Sequence, residues 1–280
     1  MAMPEILRYT AFSRDPMGGN PAGVVPDASS LDADAMQRIA RELGYSETAF
    51  LRPQGPQAFE VRYFSPEAEV PFCGHATIAS AVALADRGHD GELRFMTRAG
   101  EVRVETARDA SGARATLTSV SPEVSEALDA LVAAALGALH WQPGDLDPAL
   151  PARIGFAGAR HLILATHSRE RLAQLDYAFE PLRELMLAHE LTTVALVWRE
   201  SDSCYHVRNP FPVGGVVEDP ATGAAAAAFG AYLRELGLVR PPATVELLQG
   251  ADMGRPSELT VTIPAQGGIR VSGNAVAIAT

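Results

Sequence analysis

The 280-residue sequence predicts a mixed α+β protein built from two similar halves. Two observations predict it: strand-like runs alternate irregularly with helical ones, and an internal repeat recurs at one fixed offset. A third supports it. The Pro- and Gly-rich stretch WQPGDLDPALPARIG is unsuited to regular structure, and with the helix before it marks where the halves part.

Taken in order, EILRYTAF and AGVV read as strands, followed by a helix from Ser30 to about Gly44. Ser30 can cap that helix, Asp32 and Asp34 suit its positive end, and Gly44 can adopt the left-handed conformation that ends it. Leu31, Ala35, Ile39 and Leu43 are expected to face inward. ETAFL and FEVRYF are strands, and a second helix begins near Gly74. ELRFMTRAGEVRVETA and ARATLTSV are strands, with a turn at Ala99-Gly100, and Ser121-Pro122-Glu123 is read as opening a further helix. The halves are drawn as residues 1–120 and 121–280, with the last strand free to return to the N-terminal half. Cys204 and the helix LRELMLAHEL are assigned to core and scaffold.

The repeat is ungapped. Thr193 follows Glu47 by 146 positions, Arg208 follows Arg62 by 146, and Asp219 follows Cys73 by 146. Under that offset ETAFL meets TVALV, FEVRYFSP meets YHVRNPFP, and CGHATIASAVAL meets DPATGAAAAAFG. Literal identities are few (Ala49 with Ala195, Val61 with Val207, Arg62 with Arg208, Val70 with Val216), but each half reads as strand, strand, helix.

Composition excludes several function classes. With 23 basic and 34 acidic residues the formal charge is −11, a field that repels nucleic acid and anionic membrane. Any anionic ligand must be held locally. Two cysteines are too few for a disulfide framework or a Cys-based zinc site, which points to a reducing cytoplasm. No apolar run reaches the roughly 20 residues that span a bilayer, and the start MAMPEILRYT lacks the basic and apolar regions of a signal peptide.

Chemistry concentrates at the two helix starts, CGHAT (73–77) and DPATG (219–223). The first turn of a helix carries unpaired N–H groups and partial positive charge, so each start can hold an anion, and Gly74 and Gly223 admit a ligand close to the backbone. Asp219 reads either as a carboxylate that binds substrate or moves a proton, or as an N-cap with Pro220 at the first helical position. His75 can shuttle protons near neutral pH, with the helix end favouring its neutral form. The thiol of Cys73 reads as a base lowered by the helix start or as an inert core residue. Glu47, at the mouth of an apolar strand, has Thr193 as its mate; burial there would raise its pKa and make it a usable acid or base.

GGNPAGVV (18–25), GYSETAFL (44–51), RYFSPEAEVPFCGHATIASA (62–81), EDPATGAA (218–225) and LLQGADMGRPS (247–257) together resemble the PhzF family, named for phenazine biosynthesis. The resemblance implies a diaminopimelate-epimerase-like fold: two pseudo-symmetric α+β half-domains, each a mostly antiparallel sheet wrapped around a central helix, with the active site between them, in a homodimer. It implies an isomerase that moves a proton on a small carboxylate-bearing substrate without metal or organic cofactor. Glu47 would be the acid/base, His75 and Asp219 would orient and polarise the substrate, and Ser46, Cys73, Gly74, Thr222, Gly223 and Ala224 would line its site. The chain departs from the phenazine enzyme at Ala224, where that enzyme carries a serine. Two other readings stand beside it: an epimerase or racemase using Cys73 with Asp219 or Glu47, and a non-catalytic small-anion-binding protein.

Overall fold

The computed structural model describes residues 4–109 and 112–279. Met1–Met3 of MAMPEILRYT lie outside the described residues, as do 110, 111, 280 and the side chain of Asp109. The mixed α+β class is borne out, and the chain forms two compact units: residues up to Thr118 together with those from Ser272 onward, and Ser119–Val271. Among the described residues no helix is long and apolar enough to cross a membrane.

The first unit contains β1 (Leu7–Ala11), β2 (Asn20–Val25), α1 (Ala33–Leu43), β3 (Glu47–Gly55), β4 (Ala58–Phe64), β5 (Glu69–Val70), α2 (Gly74–Ala85), β6 (Glu92–Thr97), β7 (Gly100–Asp109) and β8 (Gly112–Thr118). β1 runs antiparallel to β2, β2 parallel to β3, β3 antiparallel to β4 and β4 parallel to β6. β7 runs antiparallel to both β6 and β8. The C-terminal strand, Arg270–Ala277, pairs with β8 and runs antiparallel to β1, so the sheet closes on itself into a ring. α2 lies inside this ring. It is apolar on every face, its residues from His75 to Ala85 are all buried, and it packs against β1, β2, β3, β7 and β8.

α1 corrects the first sequence expectation in detail. Its cap is Asp32 rather than Ser30, because extended backbone at Asp32 aims the carboxylate at the Ala35 N–H, 2.8 Å away. Gly44 ends the helix in the left-handed conformation, as expected. The fully buried pair is Met36 and Ala40, one turn apart, packed with Val25, Ala28, Phe50 and Phe64; Leu31 and Ile39 flank it, half-buried.

The second unit contains β9 (Glu123–Glu126), α3 (Asp129–Ala138), β10 (Arg153–Phe156), β11 (Arg160–Thr166), α4 (Arg169–Ala173), α5 (Phe179–Ala188), β12 (Thr193–Arg199), β13 (Cys204–Pro210), β14 (Glu218–Asp219), α6 (Gly223–Glu235), β15 (Ala243–Gln249) and β16 (Ser257–Ile263). From β10 to β16 its pairings repeat the order of β1 to β7: antiparallel, parallel, antiparallel, parallel, antiparallel. α6 takes the place of α2, with Ala225–Leu233 buried against β9, β10, β11 and β16. On the other face of β11 and β12, Leu162, Leu164, Val194 and Leu196 meet α3 and α5 through Leu131, Leu136, Leu182 and Met186.

One expectation fails here because of long-range pairing. Ser121-Pro122-Glu123 does not open a helix; Glu123–Glu126 is a strand pairing antiparallel with Arg153–Phe156, and the helix waits until Asp129. Proline is tolerated at the start of such a strand, and no local signal announces a partner thirty residues on. The stretch WQPGDLDPALPARIG lies within the second unit, where it makes a short 3-10 turn at Pro143–Asp145 and ends inside β10.

Candidate functional site

In the first unit, pleating sorts β3 into two faces. Phe50 points to α1, so Glu47, Ala49 and Leu51, an odd number of residues away, point to α2. β4 is sorted likewise: Phe64 faces α1, and Tyr63 faces α2, where its hydroxyl donates to Thr77 Oγ1 at 2.6 Å. Thr77 in turn donates to the Cys73 carbonyl at 2.7 Å, which ties down the helix start. Glu47 therefore meets the N-terminal turn of α2 at a fixed height.

Glu47 Oε2 lies 3.4 Å from His75 Nε2, and its side chain is 16 % exposed. Ser46 Oγ lies 3.3 Å from the same nitrogen. On the other side of the ring, Asn20 Nδ2 is 3.2 Å and Cys73 Sγ is 3.4 Å from Nδ1. With the Asn20 amide donating to Nδ1, these partners assign the ring proton to Nε2, directed at Glu47 and Ser46. Burial pushes the Glu47 carboxyl above its ordinary range, while hydrogen bonds with Ser46 and Cys73 pull it part of the way back. A Cβ built on Gly74 would meet open space, so packing does not require glycine there.

Sequence reasoning missed Asn20, although it lies inside the quoted motif GGNPAGVV. The turn before it explains the motif: Gly19 has φ +65°, and a Cβ there would lie 2.3 Å from the Ala11 carbonyl oxygen. That tight turn delivers Asn20 to His75.

In the second unit Asp219 is buried, at 8 % exposure, and its carboxylate accepts a hydrogen bond from Thr222 Oγ1 at 2.6 Å. Asp219 is not the helix cap. It belongs to β14, and α6 begins at Gly223 with Thr222 in the cap position and no side-chain cap bond. Gln249, unassigned in the sequence reading despite lying in LLQGADMGRPS, holds this turn: its Nε2 donates to the Asp219 carbonyl at 2.7 Å, and its Oε1 accepts from the Thr222 N–H at 3.1 Å. Gly250, with φ +75°, leaves no room for a Cβ beside the carbonyls of Arg255 and Pro220.

The structure also corrects the repeat. The offset of 146 holds for β3 with β12 and for β4 with β13, where Glu47 corresponds to Thr193 and Ala58 to Cys204. After those strands it becomes 149. Phe64 pairs with Glu69 while Pro210 pairs with Glu218, and the helices begin at Gly74 and Gly223. Both units carry a bidentate Arg–Glu pair at this point, Arg62 with Glu69 and Arg208 with Glu218. The longer second connection, with a 3-10 turn at Pro212–Gly214, absorbs the three extra residues. Cys73 therefore corresponds to Thr222 and Asp219 to Val70, so Cys73 and Asp219 are not equivalents.

At the mouth of β12, the counterpart of Glu47 joins a different network. His161 Nδ1 donates to Thr193 Oγ1 at 2.8 Å, and Thr193 donates to Asn209 Oδ1 at 2.9 Å, all three residues buried. Burial pushes the His161 pKa down to about 3. The folded state thus keeps His161 neutral while the unfolded chain protonates it near pH 6.5, so its contribution to stability is present above that pH and is lost as pH falls toward 3. Urea unfolding between pH 6.5 and 5, above the range where most carboxylates titrate, should show stability falling by up to about 1.4 kcal/mol per pH unit from this residue. In His161→Gln that slope should flatten.

The cysteines separate in environment. Cys73 is buried at the start of α2, whereas Cys204 is half-buried at the start of β13, with its thiol on Glu200, and so is not the core residue expected.

A family model described as phenazine biosynthesis-like protein, PhzC-PhzF, matches residues 9–280. The trans-2,3-dihydro-3-hydroxyanthranilate isomerase of Pseudomonas chlororaphis is 32% identical over 284 residues, covering 95% of this chain and 94% of its own. The crystal structure of a Bacillus anthracis PhzF-family phenazine biosynthesis protein superposes with a TM-score of 0.89 at 25% identity, covering 100% of this chain and 98% of that one. A probable proline racemase of Agrobacterium radiobacter shares the fold, with a TM-score of 0.67 at 15% identity over 98% of this chain and 91% of its own. With the family model matched over residues 9–280 and the isomerase relative aligned over nearly the whole of both chains, the chain belongs to the phenazine biosynthesis-like PhzC-PhzF family of isomerases.

Proposed function

We propose that the protein isomerises a small carboxylate-bearing molecule by moving a proton between two carbons, with Glu47 as the carrier. The observation that carries this is a carboxyl raised in pKa by burial yet surrounded by the donors of Ser46, Cys73 and His75. Ionised Glu47 removes a proton from a carbon made acidic by conjugation: the C–H bond breaks, an O–H bond forms on Glu47, and the electron pair delocalises into the substrate. Glu47 then returns that proton to a second carbon of the same π-system, so no redox partner is required.

His75, whose Nε2 faces Glu47, is assigned to orient Glu47 and to donate to charge that develops on the substrate. Ser46, Cys73 and Gly74 are assigned to substrate binding at the start of α2; Asp219, Thr222, Gly223 and Ala224 are assigned to substrate binding at the start of α6, each set taken within its own unit. An alanine at 224 cannot donate the hydrogen bond of a serine hydroxyl. Substrates that need that bond should bind more weakly by about 1 kcal/mol or more. Action as a homodimer in the cytoplasm, without a metal or organic cofactor, completes the proposal.

The test is a pool of small unsaturated carboxylates incubated with the protein in heavy water and followed by mass spectrometry. Isomerisation of at least one compound, with deuterium gained at carbon, is the expected result. Binding of pool members with neither isomerisation nor exchange would overturn the proposal in favour of an anion-binding protein.

A further inference from the structure

The hairpin that joins β12 to β13 gathers a second cluster that the proposed reaction does not use. Cys204 and His206, two residues apart on β13, share one face of the strand, and Glu200 lies just beyond the end of β12. Both donate to one carboxylate oxygen: Cys204 Sγ lies 3.2 Å and His206 Nε2 lies 3.0 Å from Glu200 Oε2. One sulfur, one nitrogen and one oxygen thus lie mutually within 4.8 Å. The platform is held from both sides. His206 stands opposite Trp198 in the β12–β13 register, with ring centroids 5.2 Å apart. Cys204 stands opposite Glu246 of β15, a second acid that is itself fixed by Thr260 Oγ1 at 3.0 Å.

We infer that Glu200, Cys204 and His206 form a binding site for a borderline divalent transition metal of the zinc class, with water or Glu246 in the fourth position. Tetrahedral zinc with bonds of about 2.0–2.3 Å sets its ligand atoms roughly 3.3–3.8 Å apart, so the two distances to Glu200 need to open by only a few tenths of an ångström. Mixed thiolate, imidazole and carboxylate donors select zinc, cobalt or copper over magnesium and calcium, which take oxygen ligands. The Glu200 side chain is 50 % exposed, which gives the ion an entry path. Because the ligands come from both arms of the hairpin, a bound ion would staple β12 to β13.

Cobalt(II) titration of the purified full chain tests this. The expected result is one equivalent bound, with thiolate-to-cobalt charge-transfer absorption in the near ultraviolet. That band should vanish in Cys204→Ser, His206→Ala should weaken binding at least tenfold, and Cys73→Ser should leave both unchanged. Zinc should raise Tm in the wild type and not in Cys204→Ser. Absence of the band in the wild type would overturn the inference. So would a band lost in Cys73→Ser but kept in Cys204→Ser, which would place the metal at the Glu47, Cys73 and His75 cluster instead.

Discussion

Glu47→Gln should lower kcat by a factor of about 10²–10⁴, the usual contribution of a positioned acid/base, while leaving the fold intact. Glutamine keeps the shape and the capacity to accept from Ser46 and His75 but cannot carry a proton. Its effect on stability should run in the opposite direction. Burial raises the folded pKa of Glu47, so between the unfolded value and that raised value the native state binds more protons than the unfolded chain. Stability from this group is therefore present at low pH and lost as pH rises through the window. Glu47→Gln removes the titration and should raise Tm at pH 8 relative to the wild type, with little difference near pH 4. Lost turnover combined with a pH-dependent gain in Tm is the signature of a strained catalytic acid, which a purely structural glutamate would not give.

The largest expected loss of stability is at Arg208. Its side chain is 10 % and that of Glu218 is 3 % exposed; two parallel hydrogen bonds join them, and Arg208 Nη1 also donates to the Ala173 carbonyl at 2.7 Å. Arg208→Met leaves the Glu218 carboxylate buried without its charge partner, a defect that typically costs about 3–5 kcal/mol. Arg62→Met, at the equivalent position of the first unit, should cost less, because Arg62 is 17 % exposed and Arg98 also reaches Glu69, at 2.7 Å. The double variant Arg208→Met/Glu218→Leu should recover much of the loss, since it removes the stranded charge as well. Urea unfolding of the three variants against the wild type measures the difference. Because Glu218 precedes Asp219 in β14, Arg208→Met should also raise KM for whatever substrate the pool identifies.

How far the sequence could be read depended on how local each signal was. The C-terminus of α1 followed from Gly44, the Glu47 strand from its apolar run, and both helix starts from the small-residue turns at 73–77 and 219–223. These features are encoded within a few residues. The repeat was visible at β3 and β4 because their spacing is conserved between the halves, but an ungapped comparison could not reveal the three residues added around Pro212–Gly214. That insertion moved Asp219 out of register with Cys73. β9 was missed because Pro122 followed by an acid reads locally as a helix start, and only its pairing with β10 decides otherwise. Asn20, Gln249 and His161 act through partners 55, 30 and 32 positions away, and no periodicity marks such bonds.

The central claim, that Glu47 is the proton carrier, is tested most directly by comparing two variants in heavy water with the substrate found in the pool. Turnover and carbon-bound deuterium should disappear together in Glu47→Gln and persist in Cys73→Ala at no less than about a tenth of the wild-type rate. Exchange that survives in Glu47→Gln but is abolished in Cys73→Ala would contradict the account and assign the proton to the thiol.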